Sequence, residues 1–244
     1  MKKNSLKFIS SFGYVFLGLG FINSAYSMGL RSFVALPVEK GGSVIRFQLE
    51  QANDANTDTL ITNVAYGFTG KQTLLLGVPY RLSPTGSNRQ GDFSGLYRHI
   101  IWQQDKLSGT NRLGLLGGVI IPTEKERDSA VQAGFVFTHV KNRHEVDLDA
   151  LYQVGMENRA DSGRYDLSWQ YRLFPVEYPE WGVSQEINTV LELNGRWREG
   201  NTVTQQLTMG LQWIHQKWIL EGGIVKDLNT PNEQHYLIST RFHF

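Results

Sequence analysis

The side chains of this sequence with chemistry to offer are six histidines and a scattered set of carboxylates and arginines. The histidines are His99, His139, His144, His215, His235 and His243. A serine made nucleophilic by a histidine on the same strand face needs the two residues two positions apart. None of the six histidines is followed by serine at that spacing. There is no cysteine, so neither a thiolate metal site nor a disulfide framework is open to the chain. No glycine-rich phosphate loop is present. The expectation is therefore no catalytic residue, no metal and no cofactor.

The charged residues are more informative. Arg46, Glu50, Glu145, Asp147, Asp149, Asp166, Arg172, Glu186, Glu192, Glu221 and Arg241 fall inside segments whose alternate positions are apolar. Such a ladder can line a narrow aqueous passage and set its charge preference. It can equally form ion pairs that brace an interior, and both readings stay open. The formal charge of the whole chain is +1, which gives no basic footprint for nucleic acid.

The elements that must carry these residues have a period of two. In HEVDLDALYQV, Val146, Leu148, Ala150, Tyr152 and Val154 share one face, opposite Glu145, Asp147, Asp149, Leu151 and Gln153. In RYDLSWQYRL, Tyr165, Leu167, Trp169, Tyr171 and Leu173 oppose Asp166, Ser168, Gln170 and Arg172. Turn residues bound about twelve such runs. They are predicted at 43–51, 59–68, 72–81, 92–103, 111–122, 129–140, 143–155, 163–174, 182–194, 202–214, 218–226 and 234–244. The runs at 72–81 and 111–122 are weak, because they are apolar on both faces, with glycines relieving the crowding. No helical period and no linker interrupts the series, so residues 28–244 read as one all-β domain.

THVKNRHE reads as a hairpin turning on Lys141-Asn142. Pairing outward from that turn sets His139 against His144, Phe137 against Val146, Phe135 against Leu148 and Ala133 against Ala150. Apolar face then meets apolar face, the agreement that fixes register. Two facing imidazoles could share a divalent metal. No carboxylate or third histidine stands beside them, and polar rings close to a membrane surface are the preferred reading.

Residues 1–27 read as an export signal. Lys2, Lys3 and Lys7 precede an apolar stretch from Phe8 to Ile22, and Ala25-Tyr26-Ser27 supplies the small-residue exit. Cleavage after Ser27 would leave 21 basic and 23 acidic side chains, a net charge of −2.

A sheet with one apolar face must hide it. A soluble sandwich or barrel turns that face inward; a membrane barrel turns it to lipid and keeps a polar interior. The mid-strand charges permit either. Loop length favours the membrane. One end of the series receives TGK, QDKLSGT, KN, PVEYPEW and HQK. The other receives QANDANTD, LSPTGSNRQG, TEKERDS, MENRADSG, GRWREGN and DLNTPNE, which are longer and more charged. Trp102, Trp181, Trp213 and Trp218 fall at strand ends on the short-turn side, where a bilayer interface suits indole. The closing YLISTRFHF puts Tyr236, Phe242 and Phe244 on its apolar face. That ending is similar to the terminal signature of outer-membrane barrels, and the similarity implies recognition by a barrel-assembly machinery. The expected fold is a transmembrane antiparallel up-and-down β-barrel of about 12 strands, in a bacterial outer membrane with lipid as its surroundings.

GVPYRLSP (77–84), LLGGVIIPTEK (115–125) and NEQHYLISTRFHF (232–244) resemble the outer-membrane transporter family named for the MetA pathway of phenol degradation. That family carries a Pro-Thr-Gly-like turn, where this chain has Pro122-Thr123-Glu124. The resemblance implies a roughly twelve-stranded barrel that passes small molecules. The expected function is a passive channel for small solutes, hydrophobic or aromatic ones among them. The alternatives are a structural or adhesive barrel with a closed lumen and, behind it, a lipid-modifying barrel enzyme.

Overall fold

A computed structural model describes residues 29–53, 56–106, 109–178 and 184–244. The proposed export signal and Trp181 lie outside these residues. The described chain forms twelve strands and no helix. They are β1 (Ser43–Ala52), β2 (Thr57–Thr69), β3 (Gln72–Ser83), β4 (Phe93–Lys106), β5 (Gly109–Ile121) and β6 (Ala130–Lys141). They continue with β7 (His144–Gly155), β8 (Ser162–Phe174), β9 (Gln185–Arg198), β10 (Thr204–His215), β11 (Trp218–Asp227) and β12 (Gln234–His243). Each pairs antiparallel with its sequence neighbour, and β1 pairs with β12, so the sheet closes.

Closure explains how the last strand is held. Val44 pairs with His243, and the register runs on to Ala52 with His235. Phe244 N–H donates to Ser43 O at 2.9 Å, and Ser43 N–H donates back at 3.2 Å. Phe244 therefore sits inside a ladder. A closed sheet leaves no edge with unsatisfied N–H and C=O groups, which hydrocarbon cannot tolerate.

The faces sort as alternation requires. Phe47, Leu115, Phe135, Leu148, Leu167, Leu191, Leu211 and Ile238 are exposed on the outside. Asp147, Asp149, Asp166, Glu192, Gln212 and Arg241 are buried inside. An apolar surface continuous around a barrel far exceeds the patches that water-soluble monomers expose.

Two expectations need correction. The β6–β7 hairpin turns on Asn142-Arg143, with Asn142 at φ 57°, and pairs Lys141 with His144. Every partner moves by two positions: Phe137 faces Leu148 and Phe135 faces Ala150. A shift of two preserves the face, so the apolar match could not detect it. His139 consequently faces Val146, and the two histidines are not a cross-strand pair. Second, β9 runs on to Arg198 where a turn was expected from Gly195. The Tyr165 ring lies directly over Gly195, where a Cβ would come within 2.2 Å of it, so an aromatic partner covers the glycine gap in the strand.

The thinnest seam is β3–β4. Its ladder has six pairs, Gln72 with His99 to Gly77 with Ser94, against eleven for β2–β3 and thirteen for β4–β5. Beyond Gly77 the β3–β4 loop completes the wall, with Gly91 N–H donating to Pro79 O and Arg81 N–H to Arg89 O, each at 2.8 Å.

Candidate functional site in the barrel interior

Residues 29–42, which precede β1, form neither helix nor strand, and they thread the barrel. Leu30, Ser32, Val34, Ala35 and Leu36 are buried. A strap without its own secondary structure must find partners for its backbone in the wall. Arg31 N–H donates to Glu192 Oε2 at 3.1 Å, and Ser32 Oγ to Glu192 Oε1 at 3.1 Å. Phe33 N–H donates to Asp149 Oδ2 at 2.8 Å, and Ala35 N–H to Thr138 Oγ1 at 2.8 Å. The strap carbonyls are taken by arginines. Arg46 donates to Leu30 O, and Arg98 donates to Val34 O and, at 2.8 Å, to Leu36 O.

The wall is shaped to receive the strap. Gly210 and Gly223 are paired across β10–β11. A Cβ would meet Leu30 Cδ1 at 2.5 Å on Gly210 and at 2.9 Å on Gly223. At Gly67 a Cβ would lie 2.2 Å from Glu39 O. Glycine is what lets the backbones approach there.

The strap divides the interior into two unlike halves. On β7–β12 and β1 the wall is ionic. Glu221 lies between Arg46, at 2.8 Å, and Arg241, and Gln212 Nε2 donates to it at 2.8 Å. Asp166 accepts from Arg196 at 2.7 Å and from Asn194 at 2.7 Å. Asp149 lies 3.7 Å from Arg164. Asp147 accepts from Thr138 at 2.5 Å and from Gln170 at 3.1 Å. On β3–β7 the wall carries an apolar cluster, with Arg98 and Thr138 buried beside it. Leu96, Ile100, Leu116, Val136 and Leu151 pack with Ala35, and Phe33 and Leu75 join them.

Most of the charged ladder lies inside the barrel, against the strap or against other residues of the wall. Arg46, Glu145, Asp147, Asp149, Asp166, Glu192, Glu221 and Arg241 point inward and are buried. Glu50 reaches Arg31 of the strap at 3.3 Å. Arg172 and Glu186 stand apart near the short-turn end. Arg172 lies over the Tyr178 ring at 3.6 Å, and Tyr178 donates to Glu186 at 3.2 Å. The strap and the apolar wall are what sequence reasoning missed. Their signal was present: LRSFVALPV carries Leu30, Phe33, Val34, Ala35, Leu36 and Val38, too many apolar side chains for a solvated leader.

Between the strap and the wall of β1–β4 lies a cavity of about 350 Å³. Phe33, Leu75 and Leu96 give it an apolar side, and Arg46, Arg98, Arg164, Arg196 and Arg241 a basic one.

At the long-loop end, ion pairs tie three loops together. Asp92 accepts from Arg127 at 3.0 Å and from Arg159 at 2.6 Å, and Arg159 also donates to Asp128 O at 2.7 Å. Partial burial pushes the Asp92 carboxyl up, but the hydrogen bonds from Arg159 and Arg127 outweigh it and hold it below the ordinary carboxylate range.

Aromatic rings gather at both ends. Trp102 is exposed outward, and Trp213 meets Trp218 edge-on at 5.3 Å. His144 stacks on Trp169 at 6.0 Å and accepts from its Nε1–H at 3.2 Å. His139 hydrogen-bonds Asn111. Both histidines face outward. Towards the long loops, Tyr152 stacks on Trp197 at 5.8 Å. Among the described residues no group of three or more His, Asp or Glu is placed to hold a metal ion.

No family profile and no curated protein matches the sequence. Solved structures do. The chain is similar to the KdgM porin, with a TM-score of 0.57 and 9% identity over 82% of this chain and 99% of that one. It is similar also to the COG4313 outer membrane channel from Pseudomonas putida F1, with a TM-score of 0.56 and 16% identity over 86% and 97%. The fold is that of an outer-membrane β-barrel. At these identities the likeness concerns the fold, and the barrel's own interior must supply any argument about function.

Proposed function

We propose that the barrel is an outer-membrane channel for small solutes, narrowed by its own N-terminal strap. The carrying observation is the cavity beside the strap, inside the barrel. About eight strands leave an interior filled by side chains, and sixteen to eighteen leave an aqueous channel. Twelve lies between, and here the strap fills most of the difference. The ionic wall would set charge preference and the strap would set size. Both similar structures bear the printed names of a porin and a channel, which supports this reading. The sequence resemblance to the MetA-pathway transporters supports the same direction, with small hydrophobic or aromatic solutes as cargo.

In this reading residues 1–27 direct export, and Tyr236, Phe242 and Phe244 of β12 present the assembly signal. Trp102, Trp213 and Trp218 anchor the short-turn side at the inner bilayer interface. A second reading, a structural barrel with a shut lumen, is favoured by the burial of Leu30, Val34 and Ala35.

Planar-bilayer recording separates them. The full mature chain should give small discrete conductance steps, and a chain lacking residues 29–42 should give steps larger by on the order of tenfold, as an unplugged lumen requires. Correctly folded protein that stays silent in both forms would leave the structural reading standing.

A further inference from the structure

We infer that the cavity beside the strap binds a small organic anion with an apolar body, its anionic group held at Arg98. This rests on the solute-channel reading, because the ligand is taken to be the solute. Arg98 projects from β4 and is 2% exposed. Every other arginine named around the cavity has a carboxylate close by: Glu221 for Arg46 and Arg241, Asp149 for Arg164, and Asp166 for Arg196. Arg98 has none within 4.0 Å among the described residues. Its partners are neutral oxygens: Val34 O, Leu36 O and Thr73 Oγ1.

A guanidinium carries five N–H donors. Three are taken by these oxygens, and Nε has no partner although it is buried. A buried cation normally comes with a counter-charge and a full set of hydrogen bonds. Arg98 lines the cavity, so an anion bound there would supply the missing counter-charge. The rest of the lining fixes the remainder of the ligand. Cationic groups outnumber the two carboxylates, Glu39 and Glu50, while Phe33, Leu75 and Leu96 offer an apolar surface. A volume of about 350 Å³ is at the lower end of small-molecule sites. It suits a benzoate-sized or short-chain carboxylate.

A plain structural role, in which Arg98 merely staples the strap, gives a different result with a neutral isostere. The test is calorimetric titration of the full-length folded chain in detergent with benzoate and with benzamide. Benzoate should bind at least about tenfold more tightly, close to 1.4 kcal/mol. Arg98→Gln should bring the two to parity, and Arg98→Lys should keep the sign of the preference but weaken it severalfold. Far-UV circular dichroism and heat-modifiable gel migration check that each variant folds.

Equal affinities in the parent chain, or no binding of benzoate, overturn the inference without recourse to any variant. A preference that survives intact in Arg98→Gln also overturns it. Should that variant not fold, an undiminished preference in Arg98→Lys does so. The channel reading fails separately. A barrel that conducts potassium chloride yet treats the two probes alike loses the anion site and remains a channel. One that binds benzoate but never conducts keeps the site and loses the channel.

Discussion

The two halves of the barrel interior are built from the same alternating strands and solve the same problem in opposite ways. On β7–β12 and β1 many inward side chains are charged, and several meet in ion pairs, Glu221 with Arg46 and Arg241 among them. On β3–β7 an apolar cluster packs against the strap, with Thr73, Arg98 and Thr138 buried beside it. The strap is the reason both can exist. Along its short path it turns N–H groups to the carboxylates Asp149 and Glu192 and apolar side chains to Leu96 and Leu116. A barrel interior thus need not be uniformly wet or uniformly oily. It has to match, side by side, whatever runs through it.

That contrast can be broken from either wall. The largest effect is expected on the ionic side. Glu221→Ala leaves Arg46 and Arg241 buried together without their carboxylate, which should cost about 3–5 kcal/mol. Denaturant unfolding followed by heat-modifiable gel migration measures it, and a loss near zero would mean that water already solvates this wall. On the apolar side, Leu116→Ala removes a buried side chain packed with Ala35 of the strap. It should cost about 2–5 kcal/mol by transfer and cavity formation, with the same readout. A negligible loss there would show the interior core to be wet.

The smallest effect concerns the loops that close the long-loop end. The Asp92 carboxyl is held below its ordinary value, so its stabilisation is present above the ordinary carboxylate range and is lost as pH falls through the depressed value. Exposure at this site weakens the effect. Amide exchange in residues 123–129, corrected for intrinsic rates, should rise modestly on acidification, and Asp92→Asn should reproduce the rise at neutral pH. Equal protection in Asp92→Asn and the parent would remove Asp92 from the account.

Much of the fold was legible because outward faces obey one simple rule. Leu148, Leu167 and Leu191 alternate with Asp147, Asp166 and Glu192, the leucines on the outside of the barrel and the carboxylates within it. The inward faces obey no such rule. Leu96, Leu116 and Val136 look inward against Ala35 and Phe33 of the strap, and of β4, β5 and β6 only β5, apolar on both faces, hinted at it. The weak runs at 72–81 and 111–122 were apolar on both faces for that reason: one face forms the barrel's apolar outside, and the other packs on the strap and its apolar neighbours. The hairpin register slipped by two because alternation is blind to even shifts, and the turn at Asn142-Arg143 had to decide it. The charged residues of the site were found one by one from the sequence, but their partners were not. Pairing across a barrel joins β1, β11 and β12, residues nearly two hundred positions apart.

By itself the sequence determined the number of strands, their order and which residues share each strand's apolar face, since each of these follows from local period and turn chemistry. Only the tertiary structure decided what fills the barrel. Closure brings the strap beside walls far from it in the chain. It is there, through burial and the demand that every buried charge and backbone group find a partner, that Arg98 is left with neutral oxygens alone and a cavity beside it.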